Sequence, residues 1–271
     1  TAATTPSLPP LQLTDVTIDL PQLNVPISNL NASVTMNGKI AQIDQLELRA
    51  GNSDLSITGS VSDMPAILHH SDIPVITQLQ VKSKRIDLAE LTARTIKDST
   101  TVGIDEQLTD LTLGMSFLAS ARDFTESEFL PRGEFFIHQL QVDLQNYPHQ
   151  LHDFHADVFI DDRDLKVTDF SGFIDDSDFH VDGFFHDYKF WLQPQLNGDV
   201  AVDLSLTSQR LRLEDLFTYQ GENYVPKEYR HEVFDNLQLH ATAGMHYKDS
   251  SLSSIDVTLD KLSTQMQLHP L

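Results

Sequence analysis

Apolar and polar residues alternate along most of this chain, and this period of two is the strongest constraint on its fold. Successive side chains of a β-strand point to opposite faces, so the alternation predicts strands with one apolar face. The clearest run covers 200–207, where four aliphatic residues alternate with Ala, Asp, Ser and Thr. Because short turn sequences join the runs, we expect a mainly β chain folded as an antiparallel meander. Further runs lie at 16–20, 55–61, 75–81, 111–117 and 237–247.

The alternating pattern recurs within the chain. Residues 12–63 align with 136–187 without a gap, and a Ser-Asp pair and the Gly that follows it occupy the same places in both segments. Tandem similarity of this length is typical of a chain built from repeated structural units. We therefore predict a single continuous β domain over 1–271, with one pseudo-repeat over about 12–111, a second over about 136–237 and the start of a third over 238–271.

Each pseudo-repeat is also predicted to contain one short helix. Asp87 followed by Glu90 resembles a capping box, in which the first side chain accepts a hydrogen bond from the main chain three residues later. On this basis we place helices near 86–97 and near 211–219. Residues 64–74 contain prolines and lose the alternation, so we expect an irregular excursion there.

Acidity and the absence of cysteine exclude several classes of function. The chain has 18 Lys and Arg against 40 Asp and Glu, a formal net charge of -22 at neutral pH. Such a surface repels phosphate backbones, so we expect no nucleic-acid partner. A chain without Cys can form no disulfide, thiolate metal site or Cys nucleophile.

No stretch of the sequence approaches the roughly 18 uninterrupted apolar residues of a membrane-spanning helix. The first ten residues also lack the basic and apolar regions of a signal peptide. We therefore expect a soluble segment of a longer protein, with any membrane anchor outside this segment.

Histidines and aspartates are the candidate metal ligands. His149, His152 and His155 recur at every third position, but an extended strand points His152 away from the other two. We therefore expect a solvated polar edge, with a metal site as the alternative. The Asp-rich run 161–164 lacks the Gly and Glu positions of an EF-hand loop, which indicates a hairpin tip, with a cation-binding turn as the alternative.

Motifs for catalysis are missing from the sequence. It contains no nucleophile elbow, no zinc-protease motif and no phosphate-binding Gly loop. The neighbours Asp175 and Asp176 point to opposite faces if extended, which does not favour a shared acid–base site. We therefore expect a protein that is not an enzyme, with no catalytic residue, no cofactor and no bound metal.

Aromatic residues crowd into the second pseudo-repeat. They fill a closed core if the sheet folds over onto itself, and they line an exposed apolar trough if it does not. The sequence does not choose between these arrangements, because both need the same alternation. The residues concerned are Phe154, Phe159, Phe170, Phe173, Phe179, Phe184, Phe185, Phe190 and Trp191.

Three motifs that occur once in each pseudo-repeat resemble a known family. They resemble the C-terminal region of AsmA-like proteins, in the version typical of Gram-negative Bacteroidota, and the related TamB-type proteins. Together the two copies cover most of the chain. The motifs are the segment GNSDLSITGSVSD at 51–63, the strand from Val75 and IDLAEL at 86–91, with counterparts at 175–187, 200–206 and 211–216.

The resemblance implies an elongated, bent antiparallel sheet whose open apolar groove carries phospholipid or other acyl-chain lipid during outer-membrane biogenesis. It also implies a periplasmic location and a parent protein anchored in the inner membrane outside this segment. The alternative from another class is an acidic β-sandwich or β-solenoid that acts as a binding or adhesion module with a closed core. Groove candidates are the inward residues of four runs, namely Leu55, Ile57, Val61, Leu79, Val81, Phe179, Val181, Phe185, Val202, Leu204 and Leu206.

Overall fold

The structure, a computed structural model, contains two compact units, 1–127 and 128–271. No helix in the described part of the chain is long and apolar enough to cross a membrane. The residues that the structure describes are 10–19, 25–88, 90, 106–126, 130–144, 147–161, 163–188, 197–216, 218–219, 222–248 and 251–267.

Unit 1 is an antiparallel meander of six strands. Each strand pairs with the one that follows it in sequence. Two short helices follow strands of the meander, one after β4 and one after β6. The elements are β1 (Leu11–Ile18), β2 (Ile27–Asn37), β3 (Ile40–Ala50), β4 (Ser53–Val61), α1 (Met64–Leu68), β5 (Val75–Asp87), β6 (Glu106–Ala119) and α2 (Ala121–Glu126).

Unit 2 continues the same architecture. Its first five strands are neighbours in sequence order. Strand β11 then pairs with β14, and a small hairpin and a 3-10 turn lie between these two strands in sequence. Together the two units confirm the prediction of a mainly β, antiparallel chain with few and short helices. The elements are β7 (Arg132–Leu144), β8 (Leu151–Ile160), β9 (Asp164–Ile174), β10 (Ser177–His186), β11 (Gly198–Arg212), α3 (Leu213–Leu216), β12 (Thr218–Tyr219), β13 (Glu222–Asn223), the 3-10 turn Lys227–Tyr229, β14 (Val233–Lys248) and β15 (Ser251–Gln267).

Helix α1 occupies the first part of the segment 64–74, for which the sequence predicted an irregular excursion, so that prediction was wrong for 64–68, while 69–74 form neither helix nor strand. The Asp63 side chain accepts a hydrogen bond from the N–H of Ala66, and Pro65 lies in the first turn, where its missing N–H costs nothing. This hydrogen bond, followed by a weaker effect of Lys39, lowers the pKa of Asp63. Pro65 therefore helps to begin a helix here instead of preventing one.

The two helices predicted from the capping pattern are found only in part. The Asp87 side chain accepts a hydrogen bond from the N–H of Glu90 at 3.3 Å, which confirms that half of the capping box. Leu88 and Glu90 are helical, and 91–97 lie outside the described residues. In unit 2 the predicted helix near 211–219 is limited to Leu213–Leu216.

Side chains of the Ser-Asp pair at the start of β4 accept hydrogen bonds from main-chain N–H groups of β5, in place of main-chain acceptors. Beyond the last residue of β5 paired with β4, the Asp54 carboxylate accepts hydrogen bonds from the N–H groups of Lys84 and Arg85, at 3.1 and 2.9 Å. The Ser53 hydroxyl oxygen accepts the N–H of Asp87 at 2.9 Å. The Ser-Asp pair thus supplies hydrogen-bond acceptors to β5 where it separates from β4.

The same hydrogen bonds recur at the start of β10 in unit 2. The Asp178 carboxylate accepts from the N–H groups of Gln209 and Arg210, at 2.8 and 2.7 Å. The Ser177 hydroxyl oxygen accepts the N–H of Arg212 at 3.0 Å. The recurring Ser-Asp letters of the sequence therefore mark a recurring hydrogen-bonded junction between two strands.

Candidate functional site

One face of unit 1, here called apolar face 1, carries the aliphatic side chains predicted for it. Ile57 on β4 is directly opposite Val81 on β5, and Leu79 is opposite Gly59. Directly opposed residues of an antiparallel pair share a face, and so do residues two apart along a strand. The register therefore brings five candidates together, namely Leu55, Ile57, Val61, Leu79 and Val81.

Apolar face 1 contains a cavity of about 460 Å³. Strands β2 to β6 form its floor, and residues of α1 and α2 stand at its end. Only His70 and Thr77 among the lining residues are polar, which is typical of a site for an apolar ligand. The lining residues are Val34, Ala41, Ile43, Leu46, Val61, Met64, Ile67, His70, Thr77, Leu79, Phe117 and Ala121.

The corresponding face of unit 2, apolar face 2, carries the other six candidates. Val181 on β10 is opposite Leu206 on β11, and Phe185 is opposite Val202. Leu204 is opposite Gly183, and a Cβ at that glycine would lie only 3.0 Å from a Leu204 methyl carbon. The structure thus places Phe179, Val181, Phe185, Val202, Leu204 and Leu206 on one surface.

Three aromatic rings pack against one another on apolar face 2. The ring centroids of Phe154, Phe170 and Phe179 are 5.1 to 5.7 Å apart with edge-on geometry, which is a favourable arrangement. Phe154 covers Gly172, where a Cβ would lie 2.1 Å from the ring. The ring of Phe154 is nearly buried, at 8% exposure.

Three other aromatics of the predicted cluster, Phe159, Phe173 and Phe184, lie elsewhere on the sheet. Phe173 and Phe184 are 39% and 40% exposed, and their positions alternate with the apolar-face residues of β9 and β10. Phe159 makes an edge contact with Phe136, at 6.1 Å between centroids. Phe190 and Trp191 lie outside the described residues. The local run of Phe in the sequence is therefore divided between the two faces.

The degree of burial of the eleven candidates distinguishes an open apolar face from a closed core. Only Val81 and Val202 are buried, and the other nine are half-buried. Among the described residues, the strands β12 and β13 form the one sheet apart from the long strands. The half-burial of nine candidates is what an open apolar face gives, whereas the two-layer core of a sandwich would bury most of them.

The opposite face of unit 2, here called the polar face, carries His–Asp pairs between neighbouring strands. His180 on β10 lies 3.2 Å from Asp169 on β9. His240 on β14 contacts Asp203 on β11 and Asp260 on β15, at 3.1 and 3.2 Å. Such exposed pairs contribute little stability singly. Further cross-strand pairs of this kind are His155–Asp169, His186–Asp164, His246–Asp199 and His246–Asp256.

Neighbouring carboxylates favour the charged form of His246, on the polar face, and of His152, near the start of β8. Hydrogen bonds to Asp199 and then to Asp256 raise the pKa of His246. A hydrogen bond to Asp153 raises the pKa of His152, and burial offsets this only in part. Of the sequence-predicted His series, His152 and His155 thus pair with carboxylates on or beside β8.

A second cluster, formed by His149, Asp175 and Asp215, contains possible metal ligands. Their side-chain ligand atoms all lie within 4.8 Å of one another. These three residues are far apart in sequence, because Asp215 lies in α3 and the other two lie in loops before β8 and β10. The internal repeat is the one sequence signal for this cluster. Asp175 and Asp215 occupy the positions that Gly51 and Glu90 have in the first copy.

Comparison with known proteins assigns no family and no function to this chain. No protein-family model, no curated protein and no solved structure matches the chain. A functional conclusion therefore rests on the residues and distances above.

Proposed function

We propose that this chain binds the acyl chains of phospholipid, or of another acyl-chain lipid, along its apolar faces. The observation that carries the proposal is the cavity of about 460 Å³ on apolar face 1, whose lining is apolar except for His70 and Thr77. Half-buried aliphatic side chains surround it, so an acyl chain can contact them without the sheet unfolding. The role needs no catalytic residue and no cofactor, and the proposed protein is not an enzyme.

The energetics suit reversible binding. Each methylene moved from water to an apolar surface gains about 0.8 kcal/mol, so about eight methylenes gain about 6 kcal/mol. Loss of translational and rotational freedom offsets a large part of this gain. A lipid held in this way exchanges readily, which is what a protein that conducts lipid requires.

The wider setting follows from the AsmA-like resemblance and belongs to the same proposal. In it, the chain is a periplasmic segment of an inner-membrane-anchored protein that takes part in outer-membrane biogenesis. The half-buried candidates support this proposal over the alternative of a closed-core adhesion or binding module. The net charge of -22 supports the absence of nucleic acid among its partners.

Photo-crosslinking tests the proposal at single residues. A photoreactive phenylalanine analogue replaces Leu79, which lines the cavity, or Gln80, the exposed neighbour whose side chain points to the opposite face. After irradiation in cells, mass spectrometry of the purified protein reports attached lipid. We expect phospholipid adducts at position 79 and none at position 80.

The matched pair makes the outcome decisive. Both positions lie in the same strand, so expression, folding and cellular location are shared. Equal adduct yields at both positions, or no lipid adduct at position 79, would contradict acyl-chain binding on apolar face 1. Extraction of lipid from the unmodified protein, combined with native mass spectrometry, then identifies the headgroup class.

A further inference from the structure

The cluster of His149, Asp175 and Asp215 lies at the start of β10, next to Ser177 and two residues before the candidate Phe179, and its side chains range from fully buried to partly exposed. Nδ1 of His149 is 2.6 Å from an Asp175 oxygen and 3.9 Å from an Asp215 oxygen. Asp215 is 1% exposed, and the Ser177 hydroxyl donates to it at 2.6 Å. Nε2 of His149 is buried and has no hydrogen-bond partner among the described residues. Of the two imidazole nitrogens of His149, Nδ1 thus has a hydrogen-bond partner among the described residues and Nε2 has none.

Negative charge exceeds positive charge around this cluster. Arg212 is the nearest strong base, and its guanidinium bonds Glu214 while lying 3.8 Å from Asp215. One guanidinium thus faces four carboxylates, those of Asp175, Asp176, Glu214 and Asp215. Buried charge is costly unless it is compensated, and a cation would provide the compensation.

The first pseudo-repeat shows how the same place is built without excess charge. There Glu90 accepts hydrogen bonds at 2.7 Å from both the main-chain N–H and the side-chain amide of Asn52. A Cβ on Gly51 would lie 2.2 Å from the Glu90 carboxylate, so no side chain fits at that position. Unit 2 has the shorter Asp215 in place of Glu90 and carries Asp175 in place of the glycine. The neutral donors of unit 1 are thus exchanged for a second carboxylate and a histidine.

We propose that His149, Asp175 and Asp215 bind a divalent first-row transition metal, with Zn²⁺ as the best match to one imidazole and two carboxylates. Zn²⁺ binds nitrogen and oxygen ligands at about 2.0–2.2 Å, which separates tetrahedral ligand atoms by about 3.3 Å. The separations of 2.6 and 3.9 Å bracket this value, so small side-chain movements suffice. Water completes the coordination. The bound ion joins the loop before β8, the turn before β10 and helix α3.

Metal titration of the purified chain tests this site. Zn²⁺ binding is measured by calorimetry, and Co²⁺ is used as a second probe because its visible absorption reports tetrahedral nitrogen and oxygen ligands. The variants are His149→Gln and Asp175→Gly. Asp175 has φ of 50° and its counterpart Gly51 has 59°, so glycine keeps the turn and removes only the ligand. His155→Gln is the control, because His155 pairs with exposed carboxylates on the polar face.

We expect one tight site in the wild-type chain and in His155→Gln. Loss of a ligand is expected to weaken that site at least tenfold in His149→Gln and Asp175→Gly, with loss of the Co²⁺ absorption. Circular dichroism verifies that each variant is folded. The proposal fails if all four proteins bind Zn²⁺ alike, which would assign the metal to exposed His–Asp pairs, or if the wild-type chain has no site tighter than the two ligand variants.

Discussion

Gly172 provides a sharp test of the packing on apolar face 2. Replacing it by alanine introduces one methyl group beneath the ring of Phe154. That ring is in edge contact with Phe170 and Phe179, so it cannot turn away without disturbing both neighbours. We therefore expect Gly172→Ala to destabilise the protein, although alanine is normally the better strand residue.

The structure sets the size of the effect. The new Cβ would lie 2.1 Å from Cδ1 and 2.7 Å from Cε1 of Phe154. Carbon atoms in contact stand about 3.5–4.0 Å apart, so the ring has to move by more than about 1 Å. Overpacking of this kind costs about 1–3 kcal/mol, and the lower backbone entropy of alanine returns about 0.5–1 kcal/mol. The net loss in the free energy of unfolding is therefore about 0–2.5 kcal/mol, with a midpoint of about 1.2 kcal/mol.

Urea unfolding followed by circular dichroism measures this loss. Gly244→Ala is the matched control, because its Cβ would have His246 Nε2 at 3.8 Å as its nearest neighbour. The control is expected to be unchanged or slightly stabilised. In a Phe154→Leu background the penalty of Gly172→Ala should shrink, because the ring that it meets is gone. A Gly172→Ala protein as stable as the wild type, or a penalty independent of residue 154, would refute this description of the packing.

Three further predictions address the strand junction, the polar face and the apolar face. Asp178→Ala leaves two main-chain N–H groups of β11 without their carboxylate, and we expect a loss of about 1–3 kcal/mol in urea unfolding. Because the folded pKa of His246 is raised, its contribution to stability is fully present below about pH 6.5 and is lost as pH rises through the raised value. Unfolding of the wild type and of His246→Gln should therefore differ more at acidic than at alkaline pH, and a constant difference contradicts this. Val181→Asp and Leu204→Asp should remain folded and lose copurified lipid, and loss of cooperative thermal unfolding would instead indicate that these residues form a closed core.

The period of two was sufficient to predict much of this fold. It placed Val181, Leu204 and Leu206 on one face, because residues two apart share a face whatever the partner strand is. Short turn sequences joined the alternating runs, and one of them forms the turn between β2 and β3, where Gly38 has φ of 63°. These are local signals, and local signals survive in a single sequence.

The features that the sequence did not reveal depend on distant partners or on capping. Helix α1 was missed because its start depends on the side chain of Asp63 and not on hydrophobic periodicity. The His149, Asp175 and Asp215 cluster was missed because an extended reading gave Asp175 no partner, whereas its backbone is left-handed, with φ of 50°. The Ser-Asp pairs are visible in the sequence as a repeated motif. Their hydrogen-bonding role depends on the register of the next strand, which a single sequence does not specify.

The His–Asp pairs of the polar face have a consequence for how this sheet finds its alignment. A strand that slips by two residues keeps all its apolar side chains on the apolar face, so hydrophobic burial alone tolerates the slip. The same slip would move His180 about 7 Å along the strand from Asp169, and would break both contacts of His240. The pairs therefore select one alignment from several that the apolar face would accept. In unit 2, the His–Asp pairs of the polar face therefore determine which apolar residues of neighbouring strands are opposite one another.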